Sequence, residues 1–250
     1  MRGIANKEIL VPHLEVALLR HGEKVWPDEY TIKVHNKERR WDGYFHPSSH
    51  ASMGELRLFY EFGRNEDMEY PRLTVDDILT FQVGSAYHAL LQSMLIHMGF
   101  TTLEEIEVPF TNVERWCSGR VDVRRCHIPE RVSPLLVDIK SAAFLPKSPP
   151  LQYVRQVQLY MDLAPGGPFE EGIILYFTKQ APHKLREFHL RRDEDVLNEV
   201  YDKWSRVREA IEFDDPSMLK DCCNRNTKEH RLCPARFICR IGPPVLETKR

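Results

Sequence analysis

Hydrophobic residues recur along this chain at two spacings, and the spacing predicts where helices and strands lie. Helical spacing covers residues 50–62, 75–98, 151–164 and 196–211, and Thr74 with Asp77 forms a capping box before the second of these. Alternation with polar residues marks three strands between 106 and 139, and two β-rich runs cover 172–179 and 184–190. This order predicts an α/β fold, with a mixed central sheet flanked by helices. Residues 1–45 carry only weak patterning.

Composition places the chain among ordinary soluble proteins. Its 250 residues are 42% hydrophobic and 29% charged, which suits a single elaborated domain. Neither a secretion signal nor a membrane span is expected, because the longest apolar stretch is interrupted by Gln92, Ser93 and His97. We therefore expect a cytoplasmic protein. A net charge of −2 means that binding to DNA would need a locally basic groove.

Two carboxylates and a lysine form the main chemical pattern. In residues 134–140 the alternation puts three aliphatic side chains on one face and leaves Asp138 and Lys140 together on the other. Asp122 lies between two valines on the preceding strand and is expected to point away from their face. Paired strands could then bring both acids to one Mg²⁺ or Mn²⁺, with Lys140 orienting a water. Taken alone, the pattern also fits solvent-facing residues of a half-exposed strand.

Three further residues lie on the neighbouring helices. His88 falls on the apolar stripe of the long helix, where an inward imidazole could reach a metal at the sheet or be an ordinary core histidine. Gln156 and Tyr160 are one turn apart on the next helix and could address the same site or a DNA phosphate. The alternative for this pair is a surface glutamine beside a half-buried tyrosine.

The order and spacing of these motifs resemble the RecB-like branch of the PD-(D/E)XK nuclease superfamily, which includes nuclease domains of RecB and AddB and CRISPR-adaptation nucleases. The resemblance covers about residues 47–240 and implies a restriction-endonuclease-like core. It implies that His88, Asp122 and Asp138 bind the catalytic Mg²⁺ or Mn²⁺ and that Lys140 is the catalytic lysine. Gln156 and Tyr160 would support the site and contact DNA. Asp138 stands where many members have Glu.

The last part of the chain is rich in metal-binding residues. Its cysteines resemble the ending of relatives that carry an iron–sulfur cluster, but His230 replaces one expected cysteine and the upstream region 49–57 has none. Mixed nitrogen and sulfur ligands favour a structural zinc ion, and the alternative is a [4Fe–4S] cluster held by cysteines alone. Cys117 and Cys126 are interpreted as ordinary, partly buried thiols. The candidate tail ligands are Cys222, Cys223, His230, Cys233 and Cys239.

These observations predict an N-terminal extension at 1–46, a nuclease core at 47–212 and a Cys/His-rich, metal-binding tail at 213–250 packed on that core. The predicted function is metal-dependent cleavage of DNA, and the resemblance favours an exonuclease or DNA-end-processing enzyme of repair or recombination. One alternative is a catalytically silent DNA-binding subunit with the same fold. Another is a zinc-stabilised interaction module, in which the tail is the functional part.

Overall fold

The central element is a five-stranded sheet of mixed direction. The computed structural model describes residues 8–19, 43–63, 74–129, 131–223 and 232–241. The strands stand side by side in chain order, and β3 and β4 are parallel while the other neighbours are antiparallel. The predicted mixed sheet flanked by helices is thereby confirmed. Its strands are β1 Ile106–Asn112, β2 Cys117–Cys126, β3 Leu135–Ala142, β4 Glu171–Thr178 and β5 Leu185–Arg191.

Helices cover both faces of this sheet and divide the core into two clusters. One cluster joins α3, α5 and α6 to one face, and the other joins α1 and α4 to the opposite face. The parallel pair β3 and β4 is connected through α5, as a parallel crossover requires. The helices are α1 Val11–Leu19, α2 Pro47–His50, α3 Glu55–Gly63, α4 Val75–His97, α5 Leu151–Leu163 and α6 Glu194–Glu212.

The capping box predicted at Thr74 and Asp77 begins α4. The Thr74 side chain accepts a hydrogen bond from the Asp77 backbone N–H, and the Asp77 carboxylate accepts one from the Thr74 backbone N–H. Val75, Leu79 and Val83 in the first half of α4 are exposed, whereas Leu91 and Leu95 in its second half are buried. The helix is therefore anchored to the sheet by its C-terminal half.

The predicted helix at 50–62 is wrong as a single element, because the chain forms two helices separated by a turn. α2 ends at His50 and α3 begins at Glu55. Nζ of Lys203, on α6, donates to the carbonyl oxygens of Ala51 and Met53 at 2.6 and 3.1 Å. These carbonyls therefore bond to a side chain distant in sequence instead of to the next helical turn.

The N-terminal region contains a helix that the sequence pattern missed. Leu10 and Leu14 are completely buried against the face of the sheet that α4 covers. The carboxylate of Glu187 on β5 accepts hydrogen bonds from the backbone N–H groups of Ile9, Leu10 and Val11. Glu187 thus caps the start of α1 from a distant part of the chain.

Parts of the C-terminal region belong to the core. Leu219, Cys233, Ala235 and Cys239 are buried in the cluster formed by α3, α5 and α6. Across the described ranges, none of the helices is long and apolar enough to span a membrane.

Candidate active site

The site is centred on Asp138 and Lys140 of β3. Leu135, Val137 and Ile139 pack in the cluster below α1 and α4, so Asp138 and Lys140 project from the other face, as the alternation predicts. Nζ of Lys140 lies 3.0 Å from Oδ1 and 2.8 Å from Oδ2 of Asp138. Asp138 is only 1% exposed, so this ion pair is enclosed by protein.

Helix α5 covers the pair and holds Asp138. The amide nitrogen of Gln156 donates to Oδ1 of Asp138 and to the hydroxyl of Tyr160, each at 3.1 Å. Gln156 and Tyr160 are both buried, so they do not form a surface pair. The edge of the Phe110 ring packs against Tyr160, with the ring centroids 5.9 Å apart.

Gly119 leaves the space that the Phe110 ring occupies. A Cβ at Gly119 would lie 2.9 Å from the Phe110 ring and 3.3 Å from Pro47, closer than side-chain carbons normally approach. Gly119, three residues before Asp122 on β2, therefore allows close packing under Tyr160.

Asp122 reaches the site through an irregularity in β1 and β2. The expectation that its flanking valines share one face is wrong, because Val121 packs in one core cluster and Val123 in the other. The same change of face occurs in β1 at Glu107, whose φ of 51° is left-handed. Asp122 therefore lies where the side chains of β1 and β2 change from one face of the sheet to the other. Its Oδ2 accepts a hydrogen bond from the backbone N–H of Ile139 at 2.7 Å.

His88 approaches from the opposite side on α4. Its Nδ1 lies 3.7 Å from Oδ2 of Asp122, and its side chain is 25% exposed. Gly84, one turn earlier, allows α4 to lie close to the sheet, since a Cβ there would be 3.2 Å from Oγ of Ser141. Burial lowers the pKa of His88 to about 4, and the charge of Lys140 acts in the same direction. The imidazole is therefore neutral at pH 7, which is the form that binds metals.

Glu107 and Gln92 also belong to this site, and neither was predicted from the sequence. The Gln92 amide nitrogen donates to Oε1 of Glu107 at 3.0 Å and to the carbonyl oxygen of Asp122 at 3.1 Å. Oε2 of Glu107 lies 3.7 Å from the guanidinium of Arg120. No sequence pattern identified them, because regular alternation does not anticipate a left-handed residue within a strand.

The side chains of the site can be compared with the ligands that a divalent cation takes. Burial raises the pKa of Asp138 to about 6, although Lys140 opposes that shift. Oδ2 of Asp138 accepts no properly angled hydrogen bond from any described residue, despite the nearby Lys140 ammonium. Buried carboxylate oxygens and a neutral imidazole match the ligands that Mg²⁺ or Mn²⁺ takes. Within the described ranges, however, no group of three His, Cys, Asp or Glu side chains is arranged to hold a metal ion.

The tail cysteines Cys222, Cys223, Cys233 and Cys239 lie near enough to affect each other's charge, but no three of them are arranged to hold a metal ion. The thiols of Cys222 and Cys223 are hydrogen-bonded, and burial together with nearby Cys222, Cys233 and Cys239 raises the pKa of Cys223 to about 12. His230, the predicted nitrogen ligand, lies outside the described residues. Cys117 and Cys126 form no disulfide with any described residue and are completely buried, so the partial burial expected for them is wrong.

Comparisons with known proteins find several likenesses among solved structures. No protein-family model and no curated sequence matches the chain. The chain is similar to the crystal structure of SSO0001, at 20% identity and a TM-score of 0.49, over 95% of this chain and 98% of that one. It is also similar to an alkaline exonuclease, LHK-Exo, from Laribacter hongkongensis, at 12% identity and a TM-score of 0.41, over 69% and 89%. Neither likeness assigns an activity or a site to this chain.

Proposed function

We propose that this chain is a divalent-metal-dependent DNA nuclease of the RecB-like type, and that it acts as an exonuclease or DNA-end-processing enzyme. The observation that supports this best is the meeting of Asp138, Lys140 and Asp122 at one place, with His88 beside Asp122. Two acids and a lysine on adjacent strands suit phosphodiester hydrolysis better than a structural role, because burying such charges is costly.

His88, Asp122 and Asp138 would hold the cation. When bound, Mg²⁺ or Mn²⁺ neutralises charge on the scissile phosphate and makes a water more acidic. Lys140 orients the attacking water and stabilises negative charge as the new P–O bond forms and one P–O bond of the diester breaks. Gln156 keeps Asp138 aligned through its hydrogen bond to Oδ1.

Lys140 remains charged in this role. Burial disfavours its ammonium, but the neighbouring Asp138 and Asp122 outweigh burial and raise its pKa. An ammonium can donate hydrogen bonds to a water and to a phosphate oxygen at the same time. The Lys140 ammonium lies within reach of both oxygens of Asp138, the same carboxylate that would bind the cation.

We also propose that the tail cysteines hold a structural metal. Cys222, Cys223, Cys233 and Cys239 provide the soft donors that zinc or an iron–sulfur cluster takes. Zinc would use His230 in addition to cysteines. A metal here would fasten the tail to α3 and α6 without taking part in cleavage.

The function is tested by incubating the purified chain with end-labelled single-stranded and duplex DNA, with Mg²⁺, Mn²⁺ or EDTA. We expect cleavage only with a divalent cation, and loss of cleavage with retained DNA binding in Lys140→Ala. Lys184→Ala, at an exposed lysine between β4 and β5, is the matched control and should cleave normally. Binding without cleavage by the natural chain would favour the silent subunit, and absence of both would favour an interaction module.

A further inference from the structure

A polar cavity of about 160 Å³, half open to solvent, lies between α2, α3 and the start of α5. We propose that it binds a second phosphate group of the nucleic-acid strand whose scissile phosphate lies at Lys140. This inference rests on the proposed function. Besides Pro47, the cavity is lined by Ser48, Ser49, Ser52, Met53, Arg57 and Gln152.

Arg57 is the cationic group of the cavity. Its Nε is buried and makes no hydrogen bond to any described residue. The Glu61 carboxylate comes only to 3.9 Å from that nitrogen, while its other oxygen lies 3.4 Å from Nε2 of His50. A guanidinium presents several N–H groups in one plane and matches a phosphate geometrically. The Arg57 side chain is 36% exposed and lines the cavity, so the accessible part of its guanidinium can donate to an anion there.

Serine hydroxyls surround the same space. Ser48, Ser49 and Ser52 are exposed and line the cavity, so their hydroxyls can turn to donate to a bound oxygen. Among the described residues, no carboxylate lines the cavity. Hydroxyl donors around one cation suit a phosphate better than a second cation or an apolar group.

The N-terminus of α5 adds an electrostatic field that favours an anion in the cavity. The residue before the helix is Pro150, which gives it no side-chain cap. Gln152 lies in the first turn and lines the cavity. The first turn of a helix carries unpaired N–H groups and partial positive charge, and both favour an anion.

The cavity lies along the same helix as the catalytic centre. Gln152 and Gln156 are one turn of α5 apart, or about 5.4 Å. Tyr153 lies between them in the chain, and its ring centroid is 5.1 Å from Nζ of Lys140. Adjacent residues of α5 therefore contact the cavity and Lys140. One strand could therefore occupy both places.

Binding of a labelled single-stranded oligonucleotide, measured by fluorescence polarisation in EDTA at several salt concentrations, tests this inference. Arg57→Gln should weaken binding about fivefold to tenfold and reduce the salt slope by roughly 0.7, the value for one phosphate contact to a single strand. Ser52→Asp keeps Arg57 and should weaken binding through charge repulsion. The matched controls are Arg191→Gln and Ser133→Asp, which change exposed residues near the other end of β3 and should bind normally.

Oligonucleotides with one neutral methylphosphonate locate the phosphate. At a single position the substitution should weaken binding by the natural chain but not by Arg57→Gln. Internal substitutions and removal of the terminal phosphate distinguish an internal phosphate from a strand end. Normal binding and slope in both cavity variants, with DNA still cleaved, would overturn this inference alone. Failure of the natural chain to bind or cleave DNA would overturn both proposals.

Discussion

The backbone N–H of Ile139 donates to Oδ2 of Asp122 across 2.7 Å, so a side chain takes the place of a backbone acceptor between β2 and β3. The two strands are paired at Val123 with Val137 and at Cys126 with Leu135, with an irregular register between these pairs. Asp122 lies next to this pairing, one residue before Val123. It is therefore both a structural partner of β3 and a candidate ligand for the cation.

This double role predicts different effects for two substitutions of Asp122. Asp122→Asn keeps a carbonyl oxygen that can accept from Ile139, so stability should change little. Cleavage should fall by more than roughly 100-fold, because even residues behind metal ligands cost about 10–100-fold when changed. Asp122→Ala also leaves the Ile139 N–H without its acceptor, which costs about 1–3 kcal/mol of unfolding free energy. Urea unfolding and cleavage assays check both, and equal stability losses would contradict the structural role.

The catalytic face of β3 could be predicted from sequence because it depends on local geometry. Alternation alone separates Asp138 and Lys140 from their aliphatic neighbours, and a spacing of four residues puts Gln156 and Tyr160 on one face of a helix. Both expectations need only the period of a strand or a helix.

Other parts of the site depend on contacts between distant residues. The left-handed Glu107 is joined by Gln92 to the strand that carries Asp122. The turn between α2 and α3 is held by Lys203, about 150 residues later in the chain. Such contacts have no signature in local hydrophobic spacing, which explains why the face change and the divided helix were not predicted.

Gly54 provides a test of how the tail packs on the body. A Cβ at this position would lie 2.2 Å from Cβ and 3.1 Å from Cα of Cys222, so the tail would have to move. We expect Gly54→Ala to cost about 1–3 kcal/mol, as overpacking does, and to speed modification of Cys222 by a thiol reagent. Gly63→Ala is the matched control, because a Cβ at Gly63 meets nothing within 4 Å. Equal melting temperatures and thiol reactivity in the two variants would contradict the close packing.

The raised pKa of Glu187 should make part of the unfolding free energy depend on pH. Burial raises its pKa from 4.5 to about 7, while the N–H groups of Leu10 and Val11 partly oppose the shift. A raised pKa means that the folded state holds the proton more tightly than the unfolded state. This contribution is therefore fully present below pH 4.5 and is lost as the pH rises through 7.

Comparison with Glu187→Gln isolates this component, because the amide does not titrate. The difference in unfolding free energy between the natural chain and the variant should fall by on the order of 3 kcal/mol between pH 4.5 and 7. Glu209→Gln, at an exposed position on α6, is the control and should show no such change. Denaturant unfolding at several pH values measures both, and a flat difference for Glu187→Gln would contradict the raised pKa.

The last prediction concerns the tail metal, which should be separable from the catalytic cation. Thiolates prefer zinc or iron, whereas carboxylates prefer Mg²⁺ or Mn²⁺. Cys233→Ser should therefore release the tail metal and lower thermal stability, because closed sites of this kind contribute directly to folding. Removal of Mg²⁺ should stop cleavage and leave the melting temperature almost unchanged.

The identity of that metal follows from elemental analysis of protein purified without oxygen. About one zinc per chain, lost in His230→Ala, would support ligation by His230 with cysteines. Iron with acid-labile sulfide, retained in His230→Ala, would instead support a cluster on Cys222, Cys223, Cys233 and Cys239. If neither metal is found and Cys233→Ser melts like the natural chain, the tail is held by packing alone. The buried Leu219 and Ala235 would then be the residues that fix it to the core.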